Sequence, residues 1–269
     1  MSLAAEVRDL TYKFPHSDKA SLCNIEIEIP WNTRTLIIGS NGAGKSTLLK
    51  LLSGKHLCLT GKIRVNGLDP FSPHSMHQNE ADECQITTYL GTEWCHMSII
   101  HRDIGVLELL ESIGFHAHRE RGETLIDILD VDVNWRMHRL SDGQKRRVQL
   151  TMGLLKPWRL LLLDEVTVDL DVRARSRLLS FLEQETKARR CSIVYATHIF
   201  DGLAEWPDRV VHLRDGRIVQ QLSYAEEVRF SREDSSVVEH SDNSVTIGYA
   251  KSLHPLALTW LSQDETSKK

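Results

Sequence analysis

Gly39-Ser40-Asn41-Gly42-Ala43-Gly44-Lys45-Ser46-Thr47 fits G-x-x-x-x-G-K-[ST], a glycine-rich turn whose backbone N–H groups wrap the phosphates of a nucleotide. The flanks agree with it. Arg34-Thr35-Leu36-Ile37-Ile38 before it is apolar and β-branched enough for a buried strand, and Leu48-Leu49-Lys50-Leu51-Leu52 after it predicts a helix that stops near Gly54. Glycine is required because a Cβ would hold phosphates away from the backbone and resist φ > 0. Lys45 is then expected to reach the β- and γ-phosphates and the Ser46 hydroxyl to ligate Mg²⁺. An ordinary glycine turn before a helix is the competing reading, and the strand and helix flanks count against it.

Working outward, Val7–Phe14 predicts a strand, and Asn24-Ile25-Glu26-Ile27-Glu28-Ile29 alternates strictly, as a half-buried antiparallel strand does. Gly61–Gly67 adds a short strand closed by an Asn-Gly turn. The first third is thus a β-rich layer feeding the phosphate loop. Residues 69–82 turn polar and predict a surface loop, followed by a strand at Ile86–Leu90. Helical stripes at Ile104–Ile113 and Thr124–Leu129 predict a helical subdomain over about residues 92–156.

Leu140-Ser141-Asp142-Gly143-Gln144 opens a helix running from about Lys145 to Leu155, with Ser141 or Asp142 as its N-cap and Pro157 beyond its end. Leu160-Leu161-Leu162-Leu163-Asp164-Glu165 predicts a fully buried strand that delivers two carboxylates at its C-terminal end, where α/β sheets place their ligands. A charged helix, Asp171–Arg189, returns to the strand Ser192–Ala196, which ends in Thr197-His198. Such alternation means parallel strands covered on both faces. Arg209–Leu213 and Arg217–Gln221, joined by Asp215-Gly216, complete the sheet. Residues 223–269 form a C-terminal extension in which 231–244 reads as a mobile polar loop, Leu253, Leu256, Trp260 and Leu261 as one packed element, and 263–269 as a frayed tail.

Composition narrows the function. With 269 residues, 41% hydrophobic and 26% charged, the chain is an ordinary globular protein, and its net charge of -4 lacks the broad basic surface of a nucleic-acid binder. No apolar run approaches the roughly 20 residues of a bilayer span, so direct membrane insertion is not expected. Cys23, Cys58, Cys84, Cys95 and Cys191 form no C-x-x-C pair, which favours a reduced intracellular compartment. Cys84, Cys95, His96 and His101 lack zinc-ligand spacing.

The phosphate loop, the Leu-Ser-x-Gly-Gln helix start, the Leu-Leu-Leu-Leu-Asp-Glu strand and the later strand ending in His, in that order, resemble the ATP-binding cassette (ABC) ATPases over about residues 5–222. The resemblance implies a P-loop ABC nucleotide-binding domain: α/β, with a mixed central sheet, an antiparallel β subdomain and a helical insert. It implies ATP and Mg²⁺ as cofactors, and roles for particular residues. Ser46 and Asp164 would hold the metal, Glu165 would polarise the attacking water, and His198 would contact the γ-phosphate. Residues 169–171 would communicate between sites. Ser141, Gly143 and Gln144 would meet the ATP held by a second copy, making a homodimer, and Phe14, or else Tyr12, would stack on adenine; core packing is the competing role for Phe14.

Two departures from that family stand out. Asp142 occupies a position where many members carry glycine, and Gly91-Thr92-Glu93-Trp94 lacks the glutamine that senses Mg²⁺ and links ATP to a transporter partner. Neither Thr92 nor Glu93 is that glutamine; reach from Glu93 to a metal-bound water stays open, but the family's role is not carried over to it. The stretches Leu140–Leu150, Asp164–Asp171 and Tyr89–Trp94 resemble a soluble subgroup, the ABC proteins of the kind associated in yeast with the Ccr-Not transcription-regulatory complex. That implies a cytoplasmic or nuclear protein working with a Ccr-Not-type complex. The alternatives are the ATP-binding subunit of a membrane ABC transporter and an ATP-dependent binding module with negligible turnover.

Overall fold

A computed structural model describes residues 3–72, 85–96, 102–200 and 202–228, together with 253, 254, 257 and 259–261. Most of the polar loop at 69–82, the loop at 231–244, Leu256 and the tail at 263–269 lie outside the described residues, as do Cys84 and His101.

Two sheets, with helices on both faces of the larger one, follow from the hydrophobic patterning. Strands β1 (Leu3–Tyr12), β2 (Leu22–Pro30) and β4 (Lys62–Val65) form an antiparallel sheet in the order β2-β1-β4. Val7 sits opposite both Ile27 and Ile63, so the inward positions of three strands meet in one layer while Glu26 and Glu28 face out. At the end of β4 the backbone turns through Asn66 and Gly67, both at positive φ, as an Asn-Gly hairpin turn requires.

The larger sheet contains β3 (Arg34–Ile38), β5 (Gln85–Leu90), β6 (Trp158–Asp164), β7 (Ser192–Ala196), β8 (Arg209–Arg214) and β9 (Arg217–Ser223), in the order β5-β6-β7-β3-β8-β9. Its first five strands are parallel and β9 runs antiparallel, giving a mixed sheet. β3 and β7 are buried at every position, the pattern of strands covered on both faces. One face packs on the antiparallel layer and helix α1 (Lys45–Leu52). The other packs on α2 (Val106–Ser112), α3 (Arg119–Leu129), α4 (Asp142–Leu155) and α5 (Val172–Ala188).

The helices are fastened to the sheet by charge as well as by apolar contact. On α5, Glu185 Oε2 accepts from Arg121 of α3 and from Arg189 Nε, each at 2.7 Å. Arg189 in turn reaches the Trp158 carbonyl, and Arg121 Nε donates to Leu154 O of α4 at 2.8 Å. Burial opposes ionisation of Glu185, but the two guanidiniums outweigh it and hold the carboxyl below its ordinary value.

The C-terminal extension contributes to this core rather than standing apart from it. Leu253, Ala257 and Trp260 are buried in the same apolar cluster as the large sheet, and the Trp260 ring stacks on His212 of β8 at 4.6 Å with 3° between planes. Leu261, expected to pack with them, is only partly buried.

Candidate active site

β3 ends at Ile38 and the chain turns sharply through residues 39–44 before α1 begins at Lys45. Gly44 caps α1 at φ 104°, and a Cβ there would lie 2.7 Å from the Leu22 side chain and 2.9 Å from the Ser21 carbonyl. Both conformation and space therefore demand glycine. Gly216, in the β8–β9 turn, donates its N–H to Ala43 O at 3.0 Å and braces the loop from the far side. The first turn of α1, by helix geometry, presents N–H groups without intrahelical acceptors, and its dipole favours an anion.

Inside this loop the Lys45 ammonium is buried and bonded to two carbonyls, Gly39 O at 2.7 Å and Ser40 O at 3.2 Å. Burial lowers its pKa, against the pull of Glu165 and Asp164. A buried ammonium held on carbonyls fits a phosphate better than any neutral ligand. Ser40 adds a second sign, because its hydroxyl oxygen is buried without a hydrogen-bond partner.

Beyond β7 in the sheet, β6 delivers Asp164 at its C-terminal end. Ser46 Oγ donates to Asp164 Oδ1 at 3.0 Å, so a hydroxyl and a carboxylate converge as an oxygen pair suited to a hard divalent cation. The next residue, Glu165, lies outside the strand in the left-handed region at φ 55°, uncommon for a side chain of this size. That turn brings Glu165 Oε2 to 2.9 Å from His198 Nδ1, just past β7, and to 3.3 Å from the His198 N–H. Lys45, Ser46, Asp164, Glu165 and His198 thus lie around one set of contacts at the ends of β3, β6 and β7.

Ser141, Gly143 and Gln144 sit apart at the start of α4. Ser141 is the N-cap: its Oγ accepts from Gln144 N at 3.3 Å while its own N–H donates to Gln144 Oε1 at 3.0 Å, a reciprocal capping box. Asp142 is the first helical residue, with its side chain 83% exposed and paired with Lys145 at 3.3 Å. Gly143 lies close under the residue 169–171 loop, where an added Cβ would come within 3.1 Å of Asp169 O.

The two aromatics considered for adenine differ in burial, and Phe14 also packs against the apolar core of the antiparallel layer. Tyr12 is buried in the apolar core, whereas Phe14 is partly exposed and meets Tyr12 and His56 edge-on at 5.0 and 5.6 Å. The Glu93 carboxylate pairs with Lys50, which holds it below its ordinary pKa, and the group from β5 that reaches Asp164 is Tyr89. The Tyr89 hydroxyl donates to Asp164 Oδ2 at 2.9 Å. Burial and the carboxylate raise its pKa, so it remains a donor. Sequence reasoning missed Tyr89; its position two residues before a glycine, on a strand paired to β6, was the available signal.

A phosphate loop on a mixed sheet, two acidic residues at the end of a neighbouring strand and a capped signature helix define a nucleotide-binding ATPase of the cassette type. Residues 22–168 match the ABC transporter family, and the chain belongs to the ABC ATPases, enzymes that bind and hydrolyse ATP. It is 66% identical to CCR4-associated factor 16 of Saccharomyces cerevisiae, over 97% of this chain and 95% of that protein. ABC transporter I family member 20 of Arabidopsis thaliana is 41% identical over 79% of this chain and 67% of its own length. Two solved structures share the fold. An ATP-binding subunit of an ABC transporter superposes with a TM-score of 0.67 at 22% identity, covering 82% of this chain and 90% of that one. A dimeric cassette in a post-hydrolysis state with ADP and Pi gives 0.63 at 18% identity, covering 81% and 98%. Among the described residues, no helix is long and apolar enough to cross a membrane.

Proposed function

We propose that this chain is a Mg²⁺-dependent ATPase that closes around ATP with a second copy of itself and passes that closure to a transcription-regulatory complex of the Ccr-Not type, in the cytoplasm or nucleus. The observation that carries the reading is the buried Lys45 ammonium, bonded to carbonyls beside the Ser46–Asp164 and Glu165–His198 pairs.

Each residue then has a task its surroundings support. Residues 39–47, Gly39 through Thr47, wrap the phosphates, with Lys45 exchanging carbonyls for phosphate oxygens. Ser46 and Asp164 hold the cation, which when bound neutralises charge on the transferred phosphoryl group. Glu165, steadied through Oε2 by His198, orients the attacking water with its other oxygen, and His198 responds to the γ-phosphate. Phosphoryl transfer to water needs this kind of positioned charge more than covalent help. Phe14, partly exposed beside Tyr12 and His56, is the aromatic offered to adenine. Ser141, Gly143 and Gln144, at a helix N-terminus facing solvent, suit a phosphate brought by another copy. ATP drives such closure only by binding the closed pair better than the open one, as a site completed by two copies ensures.

The yeast relative's name, CCR4-associated, supports the choice of partner. Purification of the tagged chain from its native cells, with ATP and Mg²⁺ or after nucleotide depletion, tests it. Subunits of that complex, together with untagged copies of the chain, are expected only with ATP. An integral membrane protein recovered in equal amount would instead make the chain a transporter subunit.

A further inference from the structure

Tyr89 has a geometry that neither the phosphate loop nor the signature helix accounts for. Its hydroxyl and that of Ser46 take the two oxygens of Asp164 separately, Oδ2 at 2.9 Å and Oδ1 at 3.0 Å. A carboxylate left alone rotates over a broad range about its last torsion. Donors on both oxygens fix its plane.

The phenol owes its place to Gly91. A Cβ at that position would stand 2.6 Å from the Tyr89 hydroxyl oxygen and 2.9 Å from two of its ring carbons, so a side chain at residue 91 would push the phenol from its present place. The strand end is then held from α4: Gly91 O accepts from Arg146 Nη1 at 2.9 Å and from Gln149 Nε2 at 2.8 Å, both from buried side chains. On its outer side the Tyr89 ring carries the Lys55 ammonium 4.5 Å from its centroid.

We infer that Tyr89 is a positioning residue for the metal-holding carboxylate, orienting Asp164 from β5 in a space that only glycine at residue 91 leaves open. This rests on the reading of Asp164 as a metal holder. A hydroxyl that fixes a ligating carboxylate is the kind of outer partner whose loss weakens a metal by about tenfold or more. No other group among those bonded to Asp164 through described side chains supports Oδ2 from this side.

The test is ATP affinity by calorimetry, measured with Mg²⁺ and again with EDTA, the ratio being the metal's contribution. Tyr89→Phe keeps the ring, and it should leave the EDTA affinity unchanged while reducing the ratio about tenfold. Gly91→Ala displaces the phenol without removing it and should produce the same metal-specific fall. Together the two changes should do no more than the stronger alone, because they break one contact. A ratio unchanged or increased in Tyr89→Phe, a full ratio retained by Gly91→Ala, or losses that simply add would overturn the inference. Asp164→Asn, run in parallel, separates the two levels. If it keeps the wild-type ratio, the metal-site reading itself fails; if it abolishes the ratio while Tyr89→Phe leaves it at the wild-type value, only the role of Tyr89 fails.

Discussion

The two ends of the proposed ATP site are built in opposite ways. At the phosphate loop, conformation, space and charge are all committed: Gly44 admits no side chain, Lys45 is buried on carbonyls, and Ser46 is already on Asp164. At the signature helix, the Ser141 and Gln144 side chains close a capping box on each other, and the Asp142 side chain is 83% exposed. One half is ready to hold an anion alone; the other offers a helix N-terminus to something arriving from outside. That difference is what a site shared between two copies requires.

Substitutions should divide along the same line. The largest effect belongs to the loop: Lys45→Ala should weaken ATP binding by about 100-fold, the scale of a charge-assisted bond to phosphate. Because the ammonium is desolvated, the nucleotide-free melting temperature should hold or rise. Unchanged affinity in a fluorescence titration would remove the phosphate-loop assignment.

Next in size is the clamp that joins the signature-bearing helices to the catalytic sheet. Glu185→Ala leaves two arginines without their carboxylate and should cost roughly 2 kcal/mol in denaturant unfolding. The folded pKa of Glu185 is depressed below the ordinary 4.5, so its contribution is complete above that value and is lost as pH falls through the lower folded value. Glu185→Gln should therefore flatten the acid side of the stability profile, and an unaltered profile would discount the clamp.

Ser141 sharpens the comparison because it has both a structural and a proposed ligand role. Ser141→Ala should cost about 1 kcal/mol through the lost cap. Ser141→Asp restores a cap yet places a carboxylate where a second copy's phosphate is expected, so stability should return while turnover does not. Recovery of turnover with the aspartate would reduce Ser141 to a cap. The smallest effect is expected at Phe14→Ala: about fivefold weaker ATP binding with tripolyphosphate affinity unchanged, consistent with a single aromatic contact.

Much of this architecture was legible in the residues. β3 and β7 emerge with the predicted bounds because strands buried on both faces carry unbroken apolar runs, and Ser141 and Pro157 bracket α4 as capping and helix-breaking chemistry dictate. Chain-distant contacts were not legible. The left-handed turn at Glu165, a residue expected within the strand, depends on β7 and His198, residues about thirty positions away, and no local propensity encodes it. Likewise the pair of Glu93 with Lys50 on α1 and the bond of Tyr89 to Asp164 join residues far apart in the chain, which no local pattern encodes. The stacking of Trp260 on His212 joins segments that periodicity treats separately.

The shared site is tested most directly by the mass of Glu165→Gln in solution with ATP and Mg²⁺. By removing the carboxylate proposed to orient water while leaving the loop intact, this variant should bind ATP and not release it by hydrolysis. Light scattering should then report twice the 30.7 kDa of one chain with ATP, and a single chain with ADP or when Ser141→Asp is added. A single-chain mass for Glu165→Gln saturated with ATP would contradict the claim that two copies complete the site.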